Sequence, residues 1–173
     1  MLLGTPYYPE HWPKERWETD ARLMQEAGLA RVRMGEFAWH RMEPTEGRFD
    51  FDWLREAIEL FGRYGIQTIL CTPTPTYPPW LHKMYPDIHQ VKSNGQVKEF
   101  GQRQDACKNH PGYRRHARRI VQEMLQALGD HPSVLAWQTD NEFGCHGTVR
   151  CHCPHCEAAF QSWLRERFAG DIG

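Results

Sequence analysis

The feature that most constrains this chain is a repeated alternation of short apolar strands with amphipathic helices. Four apolar stretches have the length and flanking signals of strands, and each precedes a segment whose apolar residues recur at helical spacing. The predicted strands are residues 2–6, 29–34, 66–72 and 134–139. Four strand–helix units in succession predict an α/β fold with a parallel sheet and helices packed on it.

Proline and glycine mark the limits of the predicted helices. The first helix begins at Pro13 and stops at Gly28, and the second is capped by Asp52 and stops at Gly65. The third helix runs over 111–129. The fourth has Phe160, Trp163, Leu164 and Phe168 at helical spacing and ends near Gly170.

The connections are unequal in length, and this indicates where a functional site would lie. Gly28 leads at once into the next strand, whereas the segments that follow the strands are long. In α/β folds the loops at the carboxyl ends of the strands carry the chemistry. The sequence therefore predicts a site built from residues 7–12, 36–48, 73–110 and 141–154.

A doubly wound nucleotide-binding sheet is the competing architecture. Such a sheet normally has a glycine-rich turn after its first strand, but the turn here reads Gly4-Thr5-Pro6-Tyr7-Tyr8-Pro9. Proline also provides no N–H for a phosphate. The sequence favours barrel-type strand–helix units.

Charge and hydropathy narrow the classes of partner. The chain of 173 residues has 21 Lys and Arg against 22 Asp and Glu, a net charge of −1, so nucleic acid and an acidic membrane surface are disfavoured. No apolar run has the roughly 18 residues of a transmembrane helix. The N-terminal MLLGTPYYPEHWP lacks the pattern of a secretory signal, which predicts a cytoplasmic protein.

The carboxyl end of the fourth predicted strand has an amide beside a carboxylate, Asn141-Glu142. Glu142 could protonate the leaving oxygen of a glycoside and later activate water, and Asn141 could donate to a sugar 2-hydroxyl. An Asn-Glu dipeptide also occurs in an ordinary turn with a solvated carboxylate. The position on the strand and an aromatic content of 12% make the two interpretations about equally supported.

Arg33 and Glu36 lie at the end of the second predicted strand. A charged Arg33 pointing into a barrel would need a partner, because an unpaired buried charge is costly. Either Glu36 or Glu142 could pair with it. We expect Arg33 and Glu36 to cap the rim of the barrel rather than to take part directly in catalysis.

A cluster of cysteines indicates a metal site. Cys151, Cys153 and Cys156 fall within six residues, and zinc requires a fourth ligand to complete a tetrahedron. Cys107 is the best fourth ligand because it lies in the preceding strand-to-helix loop; the alternatives are His110, His146, His152 and His155. A set of reduced structural thiols is the competing interpretation, and Cys71 is expected in the core.

Four motifs stand in order along the chain and cover nearly all of it: YYPEHW at 7–12, RMGEFAW at 33–39, GRFDF at 47–51 and WQTDNE at 137–142. Through them the sequence resembles the catalytic barrel of glycoside hydrolase family 42, the β-galactosidases. The resemblance implies the N-terminal half of a TIM (β/α)8 barrel, with Glu142 as acid/base, Asn141 and Arg103 as substrate-binding residues, and structural zinc on Cys107, Cys151, Cys153 and Cys156.

The resemblance also implies that the retaining reaction needs a second carboxylate, a Glu at the end of the seventh barrel strand. Four of eight units are present, so residues 1–173 are expected to be the N-terminal part of a glycosidase barrel that does not hydrolyse β-galactosides alone. The resemblance further suggests a β-galactoside substrate and a homotrimer.

Two other functions fit parts of the sequence. A zinc-stabilised domain could bind carbohydrate or protein without catalysis, and the absence of a second carboxylate would favour it. A nucleic-acid zinc module would use the arginines 114, 115, 118 and 119, but these are most simply a solvated helix face, and the near-zero net charge disfavours it.

Overall fold

The computed structural model describes residues 2–145, 147 and 149–170. Its strands are β1 (Leu3–Pro6), β2 (Leu29–Met34), β3 (Gln67–Cys71) and β4 (Val134–Gln138). Its α-helices are α1 (Lys14–Glu26), α2 (Trp39–Met42), α3 (Asp52–Arg63), α4 (Pro79–Met84), α5 (Pro111–Leu128) and α6 (Pro154–Arg167), and a 3-10 turn spans Pro9–His11. The four strand–helix units predicted from the sequence are all present.

The four strands form one parallel sheet in the order β1-β2-β3-β4. Each strand therefore pairs with its neighbour in sequence, and every crossover helix advances the sheet in the same direction. A doubly wound sheet reverses its strand order at a switch point. The observed order has no reversal, which confirms barrel-type units.

The outer face of the sheet forms the core. Val32 and Met34 on β2 and Leu70 on β3 are fully buried beneath the crossover helices. These helices contribute their apolar stripes, which have the spacing expected of amphipathic helices. The buried helix residues are Trp17 and Ala21 of α1, Leu54, Ala57, Ile58 and Phe61 of α3, and Ile120, Met124 and Leu128 of α5.

The helix limits agree with the sequence except at the start of α3. Gly28 and Gly65 follow α1 and α3 with φ of +73° and +72°, the left-handed conformation that ends many helices. Asp52 is not the cap: it is the first residue of α3, and its N–H donates to Oδ1 of Asp50 at 3.1 Å. The N-cap position is Phe51, so the predicted cap was wrong by one residue.

Two short helices interrupt loops that the sequence pattern leaves irregular. The four-residue α2 follows β2, and α4 lies within the loop after β3. The Pro78-Pro79 pair begins α4, and Leu81 in its middle is fully buried. These helices are too short for apolar periodicity to reveal them.

The last unit is packed differently from the first three. Leu135 on β4 is exposed, and α6 has no buried residue. Phe160 and Trp163 of α6 stack with ring centroids 6.0 Å apart and remain about half exposed. Across the described residues, no helix is long and apolar enough to cross a membrane.

Candidate active site

The carboxyl ends of the four strands meet at one edge of the sheet, and the predicted site lies there. Asn141 and Glu142 follow β4, and Glu142 has an exposed side chain and a φ of +47°. Arg103 reaches this point from the loop between α4 and α5, and its Nη1 lies 3.4 Å from Oε2 of Glu142. The structure therefore brings together residues that are 39 positions apart in the sequence.

The Arg103 side chain is held by a second contact. Its guanidinium lies over the ring of Phe37, 4.7 Å from the centroid. An aromatic face attracts a cation, so this contact orients the arginine. Because Arg103 and Glu142 remain about half exposed, both are available to a ligand in solvent.

Beneath this pair lies a buried hydrogen-bond network centred on Glu36. The Glu36 side chain is almost inaccessible, and it accepts from Nη2 of Arg33, the hydroxyl of Tyr8 and Nε2 of Gln138, each at 3.0 Å. Nη1 of Arg33 donates to Oε1 of Gln138 at 2.9 Å. The partner of Arg33 is thus Glu36 and not Glu142, and both residues sit at the rim as expected.

Gln138 was not identified from the sequence, although it joins this network to the candidate site. The side-chain amide of Gln138 lies 3.4 Å from Oδ1 of Asn141 and donates to the backbone carbonyl of Asp140 at 2.9 Å. The sequence signal that could have identified Gln138 is its polar side chain at the end of an otherwise apolar strand. Its partners could not be deduced without the register of β3 against β4.

Glu10, in the turn after β1, is a second buried carboxylate. Neither of its oxygens has a hydrogen-bond partner in the described part of the chain. Burial raises the pKa of Glu10, and its own backbone N–H, His11 and Arg41 offset this only in part. The carboxyl is therefore held closer to its neutral form than an exposed glutamate.

Three tryptophans, Trp12, Trp39 and Trp80, mostly serve packing. Trp39 is fully buried, and its Nε1 donates to Glu43 at 2.9 Å. Nε1 of Trp80 donates to the Glu43 carbonyl at 2.9 Å. Trp12 is about half exposed with the guanidinium of Arg16 5.1 Å from its ring centroid.

The arginine run on α5 behaves mainly as a solvated face. Arg114, Arg115 and Arg118 are exposed. Arg119 differs because it pairs with the buried carboxylate of Glu43. The run therefore provides no continuous surface for a nucleic acid.

The four cysteines Cys107, Cys151, Cys153 and Cys156 converge on one point. Their sulfur atoms all lie within 4.8 Å of one another, and Cys107 Sγ is 3.3 Å from that of Cys153 and 3.4 Å from that of Cys156. A disulfide needs about 2.05 Å, so these thiols are not bonded in pairs. Four sulfurs on a tetrahedral ion with arms of about 2.3 Å would be about 3.8 Å apart, and the separations here start at 3.3 Å and do not exceed 4.8 Å.

Backbone and side-chain N–H groups surround the cluster. The Val91 N–H points at Sγ of Cys151 at 3.4 Å, and Nδ2 of Asn109 at Sγ of Cys156 at 3.3 Å. Burial raises the pKa of Cys107, and it raises that of Cys151 to about 11. Burial acts in the same direction on Cys153, but the Cys156 N–H and the neighbouring thiols outweigh it and lower its pKa.

The histidines offered as alternative ligands do not join the cysteines. His110 and His155 instead face the carboxylate of Asp87, at 3.3 and 3.1 Å. Nδ1 of His110 accepts the N–H of Tyr113 at 3.2 Å and caps α5, so a neutral His110 has its proton on Nε2. That proton points at Asp87, whose two carboxylate oxygens each face one of the two imidazoles.

Cys71 and His152 belong to neither the cysteine cluster nor the Asp87 group among the described residues. Cys71 is fully buried in β3, as expected. The backbone N–H of His152 donates to the carbonyl of Val91 at 2.8 Å. His146 lies outside the described residues.

Comparison with known proteins fits this geometry. The model of glycoside hydrolase family 42, described as β-galactosidase, matches residues 6–172. The chain belongs to glycoside hydrolase family 42. It is 52% identical over 168 residues to β-galactosidase BgaH of Haloferax lucentense, covering 97% of this chain and 25% of that protein.

Solved structures agree on the fold. A β-galactosidase from the haloarchaeon Halorubrum lacusprofundi matches with a TM-score of 0.93 at 51% identity, over 98% of this chain and 25% of the other. One from the psychrophile Marinomonas ef1 gives 0.94 at 43% identity, over 98% and 26%. The four units are thus half of a TIM barrel, and the chain spans about a quarter of the length of the relatives it matches.

Replacement of Glu36 tests the buried network. Glu36→Gln places an amide N–H2 against the donors from Arg33, Tyr8 and Gln138, so we expect the free energy of unfolding to fall by about 1–3 kcal/mol. Urea unfolding measures the change. Glu26→Gln, which breaks the exposed Arg22–Glu26 pair of 2.7 Å, is the matched control and should change it by no more than about 0.5 kcal/mol. Equal effects of the two substitutions would refute the network's role.

Glu10 should make stability depend on pH. Because the folded state raises its pKa, the protonated carboxyl stabilises the fold at low pH, and this contribution is lost as pH rises through the folded pKa. Glu10→Gln should therefore gain stability relative to the wild type between about pH 4 and pH 7. Urea unfolding at the two pH values measures this, and a pH-independent difference between the two proteins would contradict it.

Proposed function

We propose that this chain supplies the acid/base half of a retaining glycoside hydrolase that cleaves terminal β-D-galactosides. The observation that carries the proposal is the exposed Glu142 at the tip of β4, beside Asn141 and 3.4 Å from Arg103. Membership of a β-galactosidase family and the 52% identity to BgaH support the substrate class.

Glu142 is suited to both proton transfers of a retaining reaction. In its acid form it protonates the leaving glycosidic oxygen, and as the carboxylate it then takes a proton from the incoming water. Its position at the rim gives it access to solvent and substrate. The guanidinium of Arg103 faces this carboxylate, with Nη1 3.4 Å from Oε2.

Asn141 and Arg103 are the proposed substrate-binding residues. The Asn141 amide can donate to a sugar 2-hydroxyl, a contact that strengthens in the oxocarbenium-like transition state. Arg103 donates to sugar hydroxyls on the same rim and is held by Phe37 beneath it. Both residues thus bind the sugar next to the proton donor.

The nucleophile has to come from a barrel strand that these 173 residues do not contain. A retaining enzyme needs its two carboxyl groups about 5–5.5 Å apart. Glu36 accepts three hydrogen bonds and is almost inaccessible. Glu10 has both oxygens buried, and its pKa is raised. Neither is a suitable nucleophile, which leaves the Glu expected on the seventh strand.

Zinc is the proposed occupant of the cysteine cluster. Cys107, Cys151, Cys153 and Cys156 would supply four thiolates, and a closed thiolate tetrahedron is typical of a structural zinc site. Bound there, zinc supplies a cross-link and no open coordination position. The cross-link joins the loop that contains Arg103 to the segment that follows Asn141 and Glu142.

We also propose an assembly and a location for the protein. Six cysteines without a disulfide fit a reducing compartment and hence a cytoplasmic protein. A homotrimer rests on the family resemblance alone.

The hydrolase proposal predicts different activities for two proteins. The 173-residue chain alone should not release nitrophenol from nitrophenyl-β-galactoside, because the proposed nucleophile lies on a later barrel strand. The same chain, joined to the remaining barrel and later domains of the Halorubrum lacusprofundi relative, should release it. In that chimera Glu142→Gln should lower kcat on lactose about 10²- to 10⁴-fold. Azide, which needs no general base, should restore nitrophenol release.

The control for this assay is Glu26→Gln in the same chimera, a change on an exposed helix face that should leave kcat unaltered. Turnover by the 173 residues alone, abolished by Glu142→Gln, would disprove the assignment of the nucleophile. A chimera as active without Glu142 as with it would disprove its role.

The zinc proposal predicts about one zinc per chain in protein purified without chelator. Cys107→Ser removes one of four ligands and should lower the zinc-to-protein ratio. Cys145→Ser, outside the cluster, is the matched control and should keep it. Elemental analysis that finds no stoichiometric zinc in the wild type would reject the proposal.

A further inference from the structure

The carboxyl end of β4 has an unusual backbone conformation. Among the described residues other than glycine, only four have positive φ, and three belong to the candidate site: Gln104 at +56°, Asp140 at +57° and Glu142 at +47°. Such a conformation costs a non-glycine residue about 1–3 kcal/mol and persists only where neighbouring groups enforce it. The tip of β4 must therefore be held by specific contacts.

The carboxylate of Asp140 provides those contacts. Its Oδ1 accepts the backbone N–H of Asn141 at 2.7 Å and an N–H of Gln104. Its Oδ2 accepts the hydroxyl of Thr74 at 3.1 Å, and its backbone N–H donates to Oγ1 of Thr72 at 2.8 Å. The side chain and backbone N–H of this one partly exposed residue thus join the end of β3, the loop after it and the residue next to Glu142.

Lys108 connects Asp140 to the cysteine cluster. Its Nζ lies 3.4 Å from Oδ2 of Asp140 and donates to the hydroxyl of Tyr113 at 2.7 Å. The same ammonium lies 4.6 Å from the centroid of the Tyr113 ring. Lys108 directly follows Cys107, so the position of that thiol fixes where the ammonium can reach.

Gln104 provides a parallel connection from the substrate-binding loop. It directly follows Arg103, and its Nε2 donates both to Oδ1 of Asp140 and to the carbonyl of Asn141. Arg103 and Asn141, which come from different loops, are therefore held against the same carboxylate.

We propose that Asp140 is a positioning residue that couples the four-cysteine cluster to the Asn141–Glu142 pair. The cluster fixes Cys107 and hence Lys108, Lys108 holds the Asp140 carboxylate, and that carboxylate holds the left-handed tip. Release of the cluster loosens the tip through Lys108 and Asp140, without a direct bond from a cluster thiol. The catalytic consequence rests on the proposed function, whereas the structural consequence does not.

Amide hydrogen exchange of the 173-residue chain tests the structural consequence without any activity. Asn tolerates a positive φ, so Asp140→Asn keeps the backbone accessible but removes the charge and one acceptor. We expect faster exchange in the peptide 138–145. A chelator should produce a similar increase in the wild type and little further increase in Asp140→Asn. Lys108→Met should behave like Asp140→Asn.

The chimera with the Halorubrum lacusprofundi relative tests the catalytic consequence. Asp140→Asn and Lys108→Met should each lower kcat/KM about 10- to 100-fold, because a displacement of 1 Å at reacting groups costs about that much. The double variant should be no worse than the more impaired single variant, since both act on one link. The amount of bound metal and the melting temperature of each variant should stay near the wild-type values. If Asp140 and Lys108 served only the stability of the fold, these two quantities would fall together with kcat/KM.

Lys14→Met is the matched control: it breaks a lysine–carboxylate pair of 2.6 Å, with Glu56, far along the chain from the site. It should alter neither exchange in 138–145 nor kcat/KM. The proposal is overturned if Asp140→Asn leaves the exchange rate in 138–145 unchanged, or if the chelator leaves that rate unchanged in the wild type. It is also overturned if the chelator increases the exchange rate in Asp140→Asn as much as it does in the wild type. An inactive wild-type chimera would count against the proposed function alone, because the exchange experiment is unaffected.

Discussion

The parallel pairing of four strands in sequence order is the constraint on which the rest of this structure depends. Because every strand runs in the same direction, all four carboxyl ends lie at one edge, and every long loop begins there. Residues far apart in the sequence, such as Arg103 and Glu142, meet only because β3 and β4 are neighbours. The helices stabilise this sheet from its outer face and leave the edge to polar groups.

That edge shows how a barrel rim accommodates charge. Glu36 is buried, yet three donors satisfy it, while Glu10 close by has none among the described residues. Burial raises the pKa of Glu10, so its carboxyl is held closer to its neutral form than that of an exposed glutamate. Two glutamates on adjacent loops therefore differ in chemistry although their residue type is the same.

The periodicity of apolar residues was sufficient to predict the four strand–helix units, because the burial of one helix face against a sheet requires apolar residues at helical spacing. The spacing of Cys151, Cys153 and Cys156 was sufficient to predict three members of the cysteine cluster. The position of Cys107 in the preceding loop was sufficient to predict the fourth. Arg103 followed only from family resemblance. Gln138 and Asp140 were missed, because their importance arises from strand register and from a positive φ, neither of which local sequence encodes.

The cysteine cluster has a further consequence for the order in which the chain folds. Cys107 precedes α5 and β4, whereas the other three thiols follow them. A cross-link at the cluster closes a loop of about 44 residues, and loops of this size reduce the entropy of an unfolded chain by an amount worth roughly 3–4.7 kcal/mol. This loop can close once residue 151 has been synthesised, and the set of four cysteines is complete only at residue 156. With the proposed zinc bound, α5 and β4 would lie within the loop that the cluster closes.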